Sequence, residues 1–491
     1  MPPPITNVFV LMLENRSFDH LLGFSGITGT DAATGQPTTV NGLQGTEANL
    51  YQGHSYAVAQ PALDTMPVDP GHEFPDVLTQ LCGPGAAYPS GGAYPAIDNS
   101  GFVADYAASP SPHEGNAPGN FGDIMKCCSP AQLPVLNALA RAFAVCDNWF
   151  AAIPGPTWPN RFFAHAASSG GLDHSPTPIE IAEWDAVGFG FPNGTIFAAL
   201  ETKFAGNAWR IFAGDAFPNV GALRGISLGA ISSFDHFPAA VADPNYPWAY
   251  TWIEPNYGNV ANDTFEGGNS QHPLDGLAQG EALIKKTYEA IRNSPHWATS
   301  LLVVTWDEHG GFYDHVAPPG ATPPGDTQPG SKHNQYGFTF GQYGVRVPAI
   351  VASPLIPPNL IDHRIYDHSS IPKTIETIFG LPALTARDAA ANDVTPLLSL
   401  ATARGDAPAS LPDPAAPAAP LMAMRAAPPD ASIDKSLPGF LHVAMRHDIA
   451  LSPPEAQPAI LARVQAIQTR AQAAQYLDEV RAKVHARWAE G

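Results

Sequence analysis

The stretch that most constrains the fold runs from Val8 to His20, VFVLMLENRSFDH. Its six consecutive apolar residues, Val8 to Leu13, are too few to span a membrane and too uniformly apolar for a strand with one face in water. The run predicts a strand buried on both faces, as in a parallel sheet. It ends abruptly on Glu14 and Asn15. Ligands of open α/β sheets bind beyond the carboxyl ends of the strands, so a carboxylate and an amide released there face the functional crevice. Alternatively, Glu14 caps a helix that begins near Ser17, and from this stretch alone both readings stand.

The segment from Ser300 to Gly311, SLLVVTWDEHGG, repeats the pattern. An apolar, β-branched run ends at Trp306 and is followed at once by Asp307, Glu308 and, after His309, a pair of glycines. Two such strands would bring oxygen ligands to one sheet edge. Carboxylates gathered there repel one another, and a shared cation keeps them ionised. A structural ion network with Arg16 or Arg346 is the alternative.

A chain of 491 residues has room for several domains, although α/β enzymes often run this long as one unit. Only 14% of residues are charged and the formal net charge is −21, which argues against nucleic acid or an anionic membrane surface as partner. The 52 prolines and 44 glycines predict long, irregular, ordered loops around a regular centre. Four cysteines, Cys82, Cys127, Cys128 and Cys146, make no disulfide scaffold, and the vicinal pair lacks zinc-site spacing. A reduced, cytoplasmic protein is therefore expected, or a secreted or periplasmic one if a leader precedes MPPPI. No stretch reaches transmembrane length.

Residues 23 to 120 are rich in Gly, Pro, Thr and Asn and read as functional or lid-like loops. Within them Asp69, His72 and Glu73 precede a short helix, with His72 read on its own as a capping or hydrogen-bonding loop residue. Residues 129 to 146 read as a helix, and AVCDNWF follows as a strand or turn. In IPGPTWPNRFFAHAASSGG, Thr157 falls at an N-cap with Pro159 close to N1. Its hydroxyl either serves as an ordinary cap or lies in the positive potential of a helix N-terminus, where anions and a developing alkoxide are favoured. TIFAAL and AWRIFAG read as strand-like, and Trp248, Tyr250 and Trp252 as core packing or a quaternary ammonium cage. A helix is predicted from about Leu274 to Asn293, with His272 ahead of it, and a further strand over 345 to 356. His368 sits at the mouth of a helix that Ser369 or Ser370 can cap. The Ala/Pro-rich stretch after Ala403 predicts a stiff linker, and the apolar spacing from Leu461 to Trp488 predicts a packed helical tail. The expected division is a catalytic domain over 1–403, a linker over 404–432 and a tail over 433–491.

Five motifs, ENRSFDH (14–20), PTWPNR (156–161), TWDEHGGFYDHV (305–316), GVRVPAIVASP (344–354) and YDHSSIPKTIE (366–376), resemble the phosphoesterase family of bacterial and plant non-specific phospholipases C and respiratory-burst-inhibiting acid phosphatases. That family is a branch of the alkaline-phosphatase superfamily. The resemblance spans residues 5 to 400 in the family's order. It implies an α/β fold: a doubly wound, mostly parallel sheet of alkaline-phosphatase type with long loop insertions, followed here by a C-terminal helical tail. It further implies metal ligands Glu14, Asn15, Asp307 and Glu308, a nucleophile at Thr157, and Asn160, His72, His272 and His368 around the phosphoryl group. One divalent metal ion is expected, with a hard cation (Ca²⁺, Mg²⁺ or Mn²⁺) favoured by the all-oxygen set and zinc also compatible. Where family members often have two adjacent histidines, this chain has Gln271-His272, which alters one phosphate or leaving-group contact.

The expected activity is metal-dependent hydrolysis of phosphoric esters, phospholipase C-like, through a phosphothreonine intermediate, with His368 or His272 protonating the leaving alcohol. An acid phosphatase acting on monoesters and a non-catalytic metal-binding scaffold are the alternatives. A sulfatase is disfavoured because threonine cannot become formylglycine. The expected partner is a phosphate ester or phospholipid, with transient membrane contact and no nucleic acid; the oligomeric state stays open.

Overall fold

The computed structural model describes residues 5–109, 119–327, 330–417 and 426–490. Its centre is a ten-stranded sheet ordered Pro37–Thr39, Thr28–Asp31, Leu360–Asp362, Ala144–Cys146, Ala349–Ala352, Ser300–Trp306, Asn7–Leu13, Tyr250–Glu254, Trp209–Ala213, Ile231–Ser233. Every residue of Asn7–Leu13 and of Ser300–Trp306 is buried, as their unbroken apolar runs require. The two strands are parallel neighbours with Leu13 beside Trp306. Glu14 and Asp307 therefore leave the sheet together. Ala349–Ala352 runs antiparallel to both its neighbours, and Pro37–Thr39 is an antiparallel edge strand.

Side-chain alternation explains the layers. Phe9 meets Phe237 and Tyr246 on one face, where the helices Phe237–Ala242 and Leu277–Arg292 pack. On the other face Trp252 meets His165 and Tyr250 meets Phe197, which places the helices Thr157–Ala166 and Ile196–Phe204 there. Helices on both faces of a mostly parallel sheet make the fold doubly wound.

TIFAAL is helical rather than strand-like. Thr195 caps Ala198 through its side chain, and Ile196, Phe197 and Leu200 bury one helical face, a period that the β-branched start of the segment disguises. The helix expected over 129–146 is confined to Pro134–Ala142 and gives way to the strand Ala144–Cys146. The strand expected over 345–356 shortens to Ala349–Ala352, bounded by Pro348 and Pro354. Trp252 is fully buried, and its indole N–H donates to Glu254 Oε1 at 2.8 Å. Trp248 stacks its edge on Tyr246 and lies under Arg210. These aromatics are packing, and the ammonium cage considered for them is not formed.

After the sheet, residues 404–411 lie along Leu277–Arg292: the Tyr288 hydroxyl donates to Pro408 O at 2.5 Å and Arg292 to Ala407 O at 2.9 Å. Three helices follow, Leu437–Ala450, Gln457–Gln465 and Arg470–Glu490. The first is packed against the helix that carries Thr157. Phe440 meets Trp158 edge to face at 5.7 Å, and a Cβ at Gly439 would lie 2.2 Å from the Trp158 ring. Among the described residues no helix is long and apolar enough to cross a membrane.

Candidate active site

Glu14 and Asn15 leave the end of Asn7–Leu13, and Asn15 adopts a left-handed backbone (φ 57°) that turns its side chain back toward the sheet edge. Its backbone N–H donates to Asp307 Oδ1 at 3.0 Å, and its Nδ2 lies 2.8 Å from His72 Nδ1. Asp307 Oδ2 accepts from Arg161 Nε at 2.8 Å, and the same guanidinium reaches Leu13 O at 2.9 Å. The structure thus brings Glu14, Asn15, Asp307, Glu308, Thr157 and His72 to one place.

The carboxylates crowd. Burial, with Asp307 adding to it, pushes the Glu14 carboxyl up to about 8. Burial pushes Asp307 up to about 6, Arg161 opposing it and Glu308 reinforcing it. Glu14 Oε2 and Glu308 Oε1 are buried and accept no hydrogen bond, Glu308 Oε1 having only His72 Nδ1 beside it at 3.4 Å. Such orphaned anionic oxygens are costly unless a ligand meets them.

Thr157 is the first residue of its helix, and Pro156, not Thr157, occupies the N-cap. The hydroxyl therefore caps nothing. It is 2% exposed and donates to Asn15 Oδ1 at 3.4 Å. Pro156 takes the cap because its fixed φ and missing N–H suit the entry to a helix whose first amides stay unpaired.

His72 does not cap the helix Phe74–Cys82 either, because Glu73 and Asp76 form a reciprocal capping box. Freed of that task, it faces Asn15 and lies 3.4 Å from Glu308. His272 stacks face to face on Phe265 at 3.4 Å and sits 3.6 Å from Asp69. Burial pulls its pKa down to about 3, with Asp69 opposing.

Two residues expected around the phosphoryl group are engaged elsewhere. Asn160 accepts from Ile153 N at 3.0 Å and donates to the carbonyls of Gly155 and Pro156 at 2.8 and 3.0 Å, so it holds the loop that leads to Thr157. His368 is fully buried, with Nδ1 accepting from Trp149 and Nε2 bonded to Asp307 O at 2.5 Å. Burial pulls it to about 4. Its Nε2 fixes the backbone of Asp307 and its Nδ1 is taken by Trp149, which leaves neither nitrogen for a leaving group. Gln271 is likewise internal, accepting from Trp306 Nε1 at 3.0 Å.

Residues that sequence reasoning missed complete the surroundings. Arg161 neutralises Asp307; its place four residues after Thr157, on the same helix face, is a signal that was available. Asp263 and Lys435 carried no signal, since only the fold brings them near Thr157. Among the described residues, the group of three close enough to share an ion as they stand is Asp19, Asp314 and His315. There Arg346 already binds Asp314 Oδ1 at 2.9 Å and Asp19 Oδ1 at 3.0 Å, so that cluster is an ion network. The structural role weighed for Arg346 applies there and not at Glu14.

Residues 5–382 match the model of the phosphoesterase family. The chain belongs to the phosphoesterase family, and it is a hydrolase acting on phosphoric esters. It is 35% identical to a non-specific phospholipase C6 of Arabidopsis thaliana over 84% of this chain and 75% of that protein. It is 29% identical to a phospholipase C B of Mycobacterium tuberculosis over 81% of this chain and 78% of that protein. With a hemolytic phospholipase C of Pseudomonas aeruginosa it shares 25% identity over 77% of this chain and 53% of that protein.

Proposed function

We propose that the chain is a phospholipase C-like hydrolase that cleaves phosphodiesters through a covalent intermediate on Thr157. One observation carries this reading: a buried threonine hydroxyl, not used as a helix cap, shares a cavity with Glu14 and His72 and points at Asn15. Thr157 Oγ1 attacks phosphorus as its proton passes to solvent, and the bond from phosphorus to the departing alcohol breaks. His72, whose pKa burial lowers but Glu308 and Asp69 raise to about 9, protonates that alcohol and regains its proton from solvent. Water then displaces the headgroup phosphate from Thr157 and returns a proton to Oγ1. The unpaired amides at the start of Thr157–Ala166 stabilise charge on the phosphoryl oxygens.

The orphaned oxygens of Glu14 and Glu308 fit a divalent cation, which Glu14, Asn15, Asp307 and Glu308 would hold. Such a cation supplies positive charge that favours an ionised hydroxyl. The donors are all oxygens, which favours Ca²⁺, Mg²⁺ or Mn²⁺.

A diester with a cationic headgroup is the favoured substrate class. The names of the plant and bacterial relatives support a phospholipid. So does the vestibule, a space of about 250 Å³ beside the inner cavity, where the carboxyls of Asp69, Glu73, Asp76 and Asp105 outnumber the cationic groups Lys435 and His72 on the wall. A phospholipid substrate brings with it transient contact with a lipid surface.

The test is a paired rate on p-nitrophenylphosphorylcholine and p-nitrophenyl phosphate, on chelated protein and after adding single divalent metals. Faster metal-restored cleavage of the choline diester supports the proposal. Preference for the monoester makes the protein a phosphatase, and tight metal binding without turnover of either makes it a scaffold.

A further inference from the structure

The C-terminal segment, which lies beyond the family motifs, reaches the candidate active site. Residues 434–437 line the same cavity as Glu14, Thr157 and His272. The segment is pinned there. Arg470 binds Asp434 Oδ1 at 2.6 Å and the carbonyls of Val260 and Ala261 at 3.3 and 3.1 Å, while its backbone N–H donates to Ala431 O at 2.9 Å. Lys435 itself adopts a left-handed backbone (φ 50°), a conformation that a lysine holds only when its surroundings impose it. The result is one ammonium delivered to the wall, 2.9 Å from Asp69 Oδ2 and 3.5 Å from Asp263 Oδ2.

We propose that Lys435 is a phosphate-binding residue and that the C-terminal segment is a working part of the substrate site. This rests on the phosphoric ester reading given above. Three arguments carry it. Lys435 lines both the vestibule of about 250 Å³ and the small inner cavity of about 20 Å³ that holds Thr157, so its ammonium stands between the open space and the hydroxyl. The inner walls carry the carboxylates of Glu14, Asp69, Asp263 and Asp434, which would repel a phosphate group. Arg470 is taken up by Asp434 and by backbone carbonyls, which leaves Lys435 as the flexible cation beside Thr157. An ammonium has three N–H donors, and the two carboxylates at 2.9 and 3.5 Å engage at most two of them, so one donor is left for a ligand. Asp69 links the same ammonium to His272, and Asp69 and Asp263 set where the charge stands.

The experiment measures inorganic phosphate, by calorimetry and as a competitive inhibitor of choline diester hydrolysis, on wild type, Lys435→Met and Lys435→Arg. Lys332→Met, which alters a surface lysine paired with Glu183, is the control. Loss of the ammonium should weaken phosphate binding about tenfold or more, raise KM for the dianionic p-nitrophenyl phosphate more than for the choline diester, and be largely reversed by arginine. Wild-type protein provides a second readout free of folding effects: phosphate should slow acylation of Lys435, followed by peptide mass spectrometry. A folded Lys435→Met with unchanged phosphate affinity, or acylation of Lys435 indifferent to phosphate, overturns the proposal. So does faster turnover in that variant at unchanged affinity, which would make the lysine a plug. If wild type neither binds phosphate nor hydrolyses either ester, the phosphoric ester reading itself has failed.

Discussion

Asn160 donates from Nδ2 to Gly155 O at 2.8 Å, tying the first turn of the Thr157 helix back onto the loop that enters it. The same amide also satisfies Ile153 N and Pro156 O. Asn160→Ala should therefore act through the loop. It leaves several buried backbone groups unpaired, and a loss of about 1–3 kcal/mol in denaturant unfolding is expected. Turnover should fall roughly 100-fold as the Thr157 hydroxyl drifts from its place. Unchanged stability with lost turnover would instead give Asn160 direct contact with the substrate.

Gly310 lets the two ligand-bearing turns meet. Its φ is +63°, and a Cβ there would lie 2.2 Å from Asn15 O. Gly310→Ala should shift the Asn15 turn, weakening the midpoint of divalent metal activation at least tenfold. A titration of turnover against metal checks this, and wild-type metal dependence would show that the turn accommodates a side chain.

The His174 site, outside the catalytic centre, sets a pH dependence of stability. Burial lowers the His174 pKa, but hydrogen bonds to Asp173 and Glu180 outweigh it and raise the group from 6.5 to about 9. The folded protein thus binds this proton more tightly than the unfolded chain. The contribution is fully present below pH 6.5 and lost as pH rises through about 9, an amount of roughly 1–3 kcal/mol after allowing for partial exposure. Urea unfolding at pH 6 and pH 9.5 should show that loss in wild type and a flatter profile in His174→Gln. Equal slopes would contradict it.

How much of this was legible depends on what each residue's signal rests on. The acidic edge was readable because two buried runs, ending at Leu13 and Trp306, change to acid or amide within one residue. Thr157 was readable as a helix start, although the cap fell one residue earlier, on Pro156. The histidines were legible as residues but not as roles. His72 and His368 have the same local signature, yet one faces Asn15 and the other is bonded at both nitrogens to Trp149 and Asp307. Those partners lie far away in the chain, and local patterning carries no trace of them. Lys435 shows the same limit, since its proximity to Asp69 follows from how the tail crosses the sheet edge.

Trapping the covalent intermediate tests the central claim most directly. Metal-loaded wild type is mixed with p-nitrophenylphosphorylcholine, quenched in acid during turnover and digested for peptide mass spectrometry. A phosphorylcholine adduct on Thr157, absent from Thr157→Ala together with nearly all turnover, is the predicted result. Turnover that survives in Thr157→Ala, or an adduct on another residue, would contradict the assignment of Thr157 as nucleophile.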